Sequence, residues 1–120
     1  ILEWGITRSQ EHRAIGTCTL FHLTEDSRRA EIGYALGREF WGRGYMREAL
    51  TAVIDHAFVD RGLNRLEADA DPRNEGSIRT LERLGFRREG LLRERWIVGG
   101  EISDSAFYGL LAREWQGRGR

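Results

Sequence analysis

Apolar positions along the chain switch between two periods. In "ILEWGITR" and "AIGTCTLFHL" β-branched and aromatic residues dominate, and the polar run "SQEHR" between them predicts a hairpin. A second polar turn, "TEDSRR", leads into "AEIGYALG", where Ile32, Tyr34 and Leu36 alternate with Glu31, Gly33, Ala35 and Gly37. With a side-chain period of two, such a strand has one bulky face and one nearly bare. The period then changes. Ala49, Leu50, Val53, Ile54, Ala57 and Phe58 form one stripe of a 3.6-residue helix, and Gly62 stands where a left-handed cap is wanted. "LNRLEADA" returns to alternation, Leu66, Ala68 and Ala70 against Glu67, Asp69 and Asp71, and stops at Pro72. Ile78, Leu81 and Leu84 predict a shorter helix, capped by Asn74 and ended by Gly85. The remainder reads as two strands about the turn "GGE", with the tail "QGRGR" left unstructured. The order is strand, strand, strand, helix, strand, helix, strand, strand. No repeat or linker interrupts it, so the simplest architecture is a mixed sheet with helices packed on it.

Composition narrows the function. At 120 residues, 40% hydrophobic and with one proline, the chain is long enough for one core and too apolar for disorder, which predicts a single domain over residues 1–120. The 19 basic and 19 acidic residues cancel, so no net field draws it to nucleic acid or an anionic membrane. Any bound anion must be held locally. Every basic residue is arginine, which excludes mechanisms that need lysine. A single cysteine, Cys18, cannot form an internal disulfide, and no apolar run approaches the roughly 20 residues of a membrane span or resembles a signal peptide. A cytoplasmic location is the default.

"EFWGRGYMREAL" crowds Gly42 and Gly44 between the half-bare strand and the first turn of the amphipathic helix. There, free backbone N–H groups and the positive end of the helix dipole point outward, and glycine lets the chain curl with positive φ while anion oxygens approach the amides. The alternative is a tight turn and nothing more. A phosphate-binding P-loop is excluded because no lysine is present, and the dinucleotide fingerprint G-x-G-x-x-G fails because Arg47 occupies its third glycine.

Several separate segments, E-I-G-Y in the strand, the W-G-x-G-Y loop, N-x-x-S and L-G-F, occur here in the order found in one family. The run from "AEIGYALGREFWGRGYMREAL" through "DPRNEGSIRTLERLGFRREG" resembles the GNAT N-acetyltransferases, in the branch that includes the ribosomal-protein N-terminal acetyltransferases. The resemblance implies an α/β (α+β) fold with a mixed, mostly antiparallel twisted sheet flanked by helices. It also implies acetyl-coenzyme A as co-substrate, with no metal. The loop of Trp41, Gly42, Arg43, Gly44, Tyr45 and Met46 would cradle its pyrophosphate, and the backbone around Leu36 would pair with the pantetheine arm as an added strand. Trp41 and Met46 depart from the wider superfamily pattern [Q/R]-x-x-G-x-[G/A] at its first and last positions. Because the binding groups are amides, the departure bears on affinity.

Acetyl transfer to an amine needs a deprotonated nucleophile, a polarised thioester, a proton acceptor and a donor for the departing thiolate. An α-amino group titrates near pH ~8, so modest help from a carboxylate suffices. The resemblance assigns that help to Glu31; the alternative is an exposed strand residue. It assigns Asn74 to pantetheine and Ser77 to the region of the sulfur, as a candidate proton donor, while both also fit as plain helix N-terminal residues. Tyr108, the one late tyrosine, reads as core. Cys18 reads as a small buried apolar residue rather than a nucleophile. His12, His22 and His56 lack metal-ligand spacing and read as solvated or packed. Trp4, Trp96 and Trp115 are assigned to the core or an interface, and the "GRGR" tail to disorder.

Three classes of function remain: an N-acetyltransferase acting on a protein N-terminal α-amine or a small-molecule amine; a catalytically weak coenzyme-binding module serving as sensor or scaffold; and a plain structural domain. The resemblance further implies a strand and one or two helices ahead of the first hairpin, which the chain from Ile1 does not contain. Coenzyme binding is therefore expected to outlast efficient transfer, and the uncovered apolar surface is expected to favour association, a homodimer included.

Overall fold

Residues 2–7 and 14–115 are described by a computed structural model. The turn "SQEHR" with His12, and the tail "QGRGR", lie outside them. The strands are β1 (Leu2–Thr7), β2 (Ala14–Thr24), β3 (Arg29–Leu36), β4 (Arg65–Ala70), β5 (Arg87–Val98) and β6 (Glu101–Leu111). The helices are α1 (Tyr45–Asp55) and α2 (Glu75–Arg83), so the element order follows the hydrophobic pattern. The six strands form one sheet in the order β1-β2-β3-β4-β6-β5, antiparallel at every contact except β3 with β4.

Register explains the core. Cys18 lies opposite Tyr34, Leu20 opposite Ile32, Ala30 beside Leu66, Leu66 opposite Leu110 and Ala68 opposite Tyr108. These residues share one face, and they are packed in a single apolar cluster with Leu50, Val53 and Ile54 of α1 and Leu81 of α2. Both helices therefore cover the same side of the sheet, as two successive right-handed crossovers travelling in one direction require. The bulky face of β3 looks into this core. Thr19, Glu31, Gly33, Glu67 and Asp69 lie on the other face, half-buried and not covered by either helix.

Two differences from the sequence pattern have local causes. The helical stripe that runs to Phe58 is not one uniform helix: residues His56–Asp60 widen into a π-helical turn, closed by Gly62 at φ +66° and by the Leu63 N–H donating to the Ala57 carbonyl at 3.0 Å. The "GGE" turn is tighter than expected, since Gly99 and Gly100 make it with positive φ and Glu101 already belongs to β6.

The tryptophans separate. Trp115 is buried, its indole N–H donating to Asp55 Oδ1 at 2.6 Å. Trp4 is half-buried, edge-on to His56 with ring centres 5.5 Å apart. Trp96 is not in the core: it stands exposed on the edge strand β5 with the Arg95 guanidinium over its ring at 5.3 Å. Leu91, Leu92, Ile97, Val98 and Ile102 are exposed around it, an apolar margin on the β5–β6 hairpin. Among the described residues no helix is long and apolar enough to cross a membrane.

Candidate functional site

The parallel contact in the sheet is short. β3 and β4 pair only at Arg29–Arg65, Ala30–Leu66 and Glu31–Glu67, after which β3 runs on to Leu36 and β4 to Ala70 as separate strands. The inner edges beyond Glu31 and Glu67 thus face an opening in the sheet, where backbone donors and acceptors are left for other partners. On the helix-covered side this opening is spanned by a hydrogen bond of 2.6 Å between Tyr34 Oη and Ser77 Oγ. Ser77 is positioned by the first turn of α2, where Asn74, the N-cap, accepts from the Ser77 amide through Oδ1 at 3.0 Å. Burial pushes the Tyr34 phenol above its ordinary range, the bond to Ser77 opposing and the Asp69 charge adding to the rise. Phenol and hydroxyl both keep their protons at neutral pH and form a chain of two donors. Nothing in the sequence distinguishes Tyr34, because its place in the alternating pattern marks it only as a core-facing residue.

The glycine loop leaves the same end of β3. Gly42 and Gly44 have φ of +76° and +80°, so both use the left-handed backbone that glycine adopts without cost. A Cβ at either would meet nothing within 4 Å; conformation, not crowding, requires glycine here, and the approach to the backbone is open. Gly44 is the N-cap of α1 and no side chain caps the helix. The first helical bond runs from the Glu48 N–H to the Gly44 carbonyl at 3.0 Å, and among the described residues nothing accepts from the amides of Tyr45, Met46 and Arg47. Tyr45 and Met46 pack against the core through their side chains, while Arg43 is exposed. These features fit a phosphate-bearing ligand held by main-chain amides. Trp41 behaves differently from a loop residue: its indole N–H donates to the Leu36 carbonyl at 2.8 Å, and the Arg38 guanidinium lies over its ring at 5.6 Å. An added strand along Leu36 therefore meets a carbonyl with one of its two acceptor positions already in use.

Glu31 occupies the last paired position of β3, on the face away from Tyr34 and Ser77. Its carboxylate is 24% exposed and is hydrogen-bonded through Oε2 to His22 Nδ1. The two candidate proton-transfer groups therefore flank the opening from opposite sides of the sheet and do not touch. The spacing of the histidines predicts a solvated or packed His22; its pairing with Glu31 is invisible to periodicity because it depends on a bulge in β2. His56 is held by Asp60 at 3.0 Å and by Arg61 at 3.1 Å. Cys18 is fully buried, and burial pushes its thiol up to about 11, which removes it as a nucleophile. Tyr108, 1% exposed, is core. Among the described residues no cluster of three metal-binding side chains occurs.

A cavity of about 770 Å³ lies elsewhere, between β1, β2 and α1, lined among others by Trp4, Cys18, Tyr45, Glu48, Val53 and His56. Glu31, Asn74 and Ser77 do not line it, so it is not the candidate site.

A sheet opened at its one parallel contact, with an uncapped helix start beside the opening, is the architecture of the acetyltransferase class already suggested by the motifs. The chain belongs to the GNAT acetyltransferase family: the acetyltransferase (GNAT) domain matches residues 2–87. It is 40% identical over 114 residues to the uncharacterised N-acetyltransferase p20 of Bacillus licheniformis, covering 95% of this chain and 64% of that protein. It is 30% identical over 113 residues to the Escherichia coli [ribosomal protein uS5]-alanine N-acetyltransferase, covering 93% of this chain and 58% of the relative. Among solved structures, the ribosomal-protein-S5-alanine acetyltransferase of Vibrio fischeri superposes with a TM-score of 0.82 at 32% identity, over 88% of this chain and 58% of that one. The chain thus spans about six-tenths of the length of these relatives.

Proposed function

We propose that this chain is the coenzyme-binding and catalytic portion of a cytoplasmic N-acetyltransferase that moves an acetyl group from acetyl-coenzyme A directly to a primary amine, either a protein N-terminal α-amine or a small-molecule amine. The observation that carries the reading is the opening between β3 and β4, flanked by the amides of Tyr45, Met46 and Arg47 at the uncapped start of α1. Those amides and the backbone of Gly42, Arg43 and Gly44 would hold pyrophosphate. The unpaired edge of β3 near Leu36, together with Trp41 and Asn74, would line the pantetheine arm. The bound coenzyme supplies the thioester.

The residues then divide the proton work. Glu31 accepts one proton from the amine, directly or through a water, as the nitrogen lone pair forms the bond to the acetyl carbon. The carbon–sulfur bond breaks and the sulfur takes a proton from Ser77, which Tyr34 replaces across their hydrogen bond. One proton enters the carboxylate and one leaves the hydroxyl pair; solvent then takes the proton from Glu31 and returns one to Tyr34, so both groups regain their starting states. The ribosomal protein uS5-alanine acetyltransferase among the relatives makes N-terminal peptides the first acceptors to try.

A second reading, a coenzyme-binding module with weak turnover, is favoured by one observation: the sheet face bearing Glu31 is not covered by either helix, so the described residues hold an acceptor poorly. A panel of N-terminal peptides, polyamines and other small amines, assayed with acetyl-coenzyme A for thiol release and product mass, separates the two. Saturable acetylation of a peptide or amine is expected; tight coenzyme binding without thiol release for any acceptor would leave only the module, and absence of coenzyme binding would remove both.

A further inference from the structure

The β2–β3 ladder skips a residue beside Glu31. Phe21 pairs with Glu31 and Thr24 with Arg29, so two residues of β2, His22 and Leu23, stand against Ala30 alone. His22 takes a φ of +52° at this bulge. A left-handed backbone is strained for residues with a Cβ, and histidine is among the few that adopt it more readily. Bulges re-aim side chains. Here the ring turns edge-on to Phe21, with centres 4.9 Å apart at 66°, and presents Nδ1 to Glu31 Oε2. Without the bulge, residue 22 would project to the opposite face from Glu31, because neighbouring strand positions alternate. The pair is also asymmetric: the imidazole is 72% exposed and the carboxylate 24%.

An ionised carboxylate can only accept, so the Nδ1 of a neutral imidazole paired with it must carry the proton. That bond uses Oε2 and leaves Oε1 as an acceptor, while Nε2 is left to solvent. We propose that His22 is a positioning residue for Glu31: the strained bulge exists to turn its Nδ1–H onto Oε2, holding the carboxylate in one rotamer so that Oε1 meets the proton of the incoming amine. This rests on the reading of Glu31 as the base. Arg29 and Glu67 are the charged residues nearest in register to Glu31, on β3 and β4; Glu67 has no proton to donate and is paired with Arg65 at 2.9 Å, and the hydrogen bond to the Glu31 carboxylate comes from His22.

The test uses the full chain and three variants, His22→Ala, His22→Asn and Glu31→Gln. The amide nitrogen of asparagine takes the place of Nδ1 as donor, and asparagine tolerates the left-handed backbone. His22→Ala should lower kcat about tenfold, less than the loss of the base itself, with coenzyme affinity by calorimetry unchanged. His22→Asn should recover most of that loss. Ring 15N shifts, which need no turnover, should show the proton on Nδ1 in the parent chain. The proposal is overturned if His22→Ala keeps full kcat, if His22→Asn is as impaired as His22→Ala, or if the ring proton resides on Nε2 in the parent chain. Should Glu31→Gln lose turnover while His22→Ala does not, this inference alone fails; should Glu31→Gln keep it, the assignment of the base fails with it.

Discussion

Tyr34 and Ser77 offer the sharpest test of the site, because one hydrogen bond of 2.6 Å joins β3 to the first turn of α2 across the opening in the sheet. A bond between two neutral hydroxyls contributes about 1 kcal/mol net, and truncating one partner costs about 1–3 kcal/mol where water cannot replace it. Both residues are half-buried, which puts each single substitution, Ser77→Ala and Tyr34→Phe, near the low end. In Ser77→Ala the helix keeps its cap, since Asn74 accepts from the amide of residue 77 and not from its side chain. The double variant should then be less destabilised than the sum of the singles, leaving a coupling of about 1 kcal/mol. Urea unfolding of the four chains at a common m-value measures it. A coupling below about 0.3 kcal/mol would refute the bond in solution. The catalytic part is read separately: if Ser77 protonates the departing thiolate, Ser77→Ala lowers kcat by about 10²-fold with coenzyme affinity retained. Loss of stability with kcat intact would leave the pair as a structural strut.

Other expectations follow from single residues. Gly44→Asp strains a left-handed position, φ +80°, so the variant is compared only once circular dichroism shows it folded; its carboxylate would oppose phosphate, and repulsion of about 1–4 kcal/mol predicts at least about fivefold weaker coenzyme binding, while unchanged affinity in calorimetry of the folded variant would remove the loop from the site. Glu31→Gln should reduce turnover by about 10²-fold or more with coenzyme affinity near normal, and an intact pH profile would place the base elsewhere. The Cys18 thiol, which ionises near 9.0 in a solvated chain and near 11 in the fold, binds its proton more tightly when folded. Its contribution to stability is therefore complete below pH 9 and is lost as pH rises toward 11; thiol-reactive reagents at pH 8 should label the unfolded chain far faster than the native one, and equal rates would contradict the burial.

Much of this molecule is legible in one dimension because its periods are clean. Alternation over residues 29–36 and 65–70 and the stripe at Leu50, Val53 and Ile54 specify element type by local geometry alone, and Gly42, Gly44, Gly62 and Gly85 mark the places where φ must be positive. Asn74 was readable as a cap for the same reason, a contact three residues long. What the period cannot carry is any relation between strands. The β3–β4 pairing that ends at Glu31 and Glu67, the meeting of Tyr34 with Ser77 across 43 positions, and the occupation of the Leu36 carbonyl by Trp41 all arise from register and packing. His22 is the clearest case. Strict alternation puts it on the face opposite Glu31, and only the bulge, an irregularity fixed by how β2 lies along β3, brings the two side chains together. Local propensity thus determined which residues form strands, helices and caps, while the tertiary structure decided which side chains share a site, because a contact between distant positions depends on register, and register is set by the whole buried face at once.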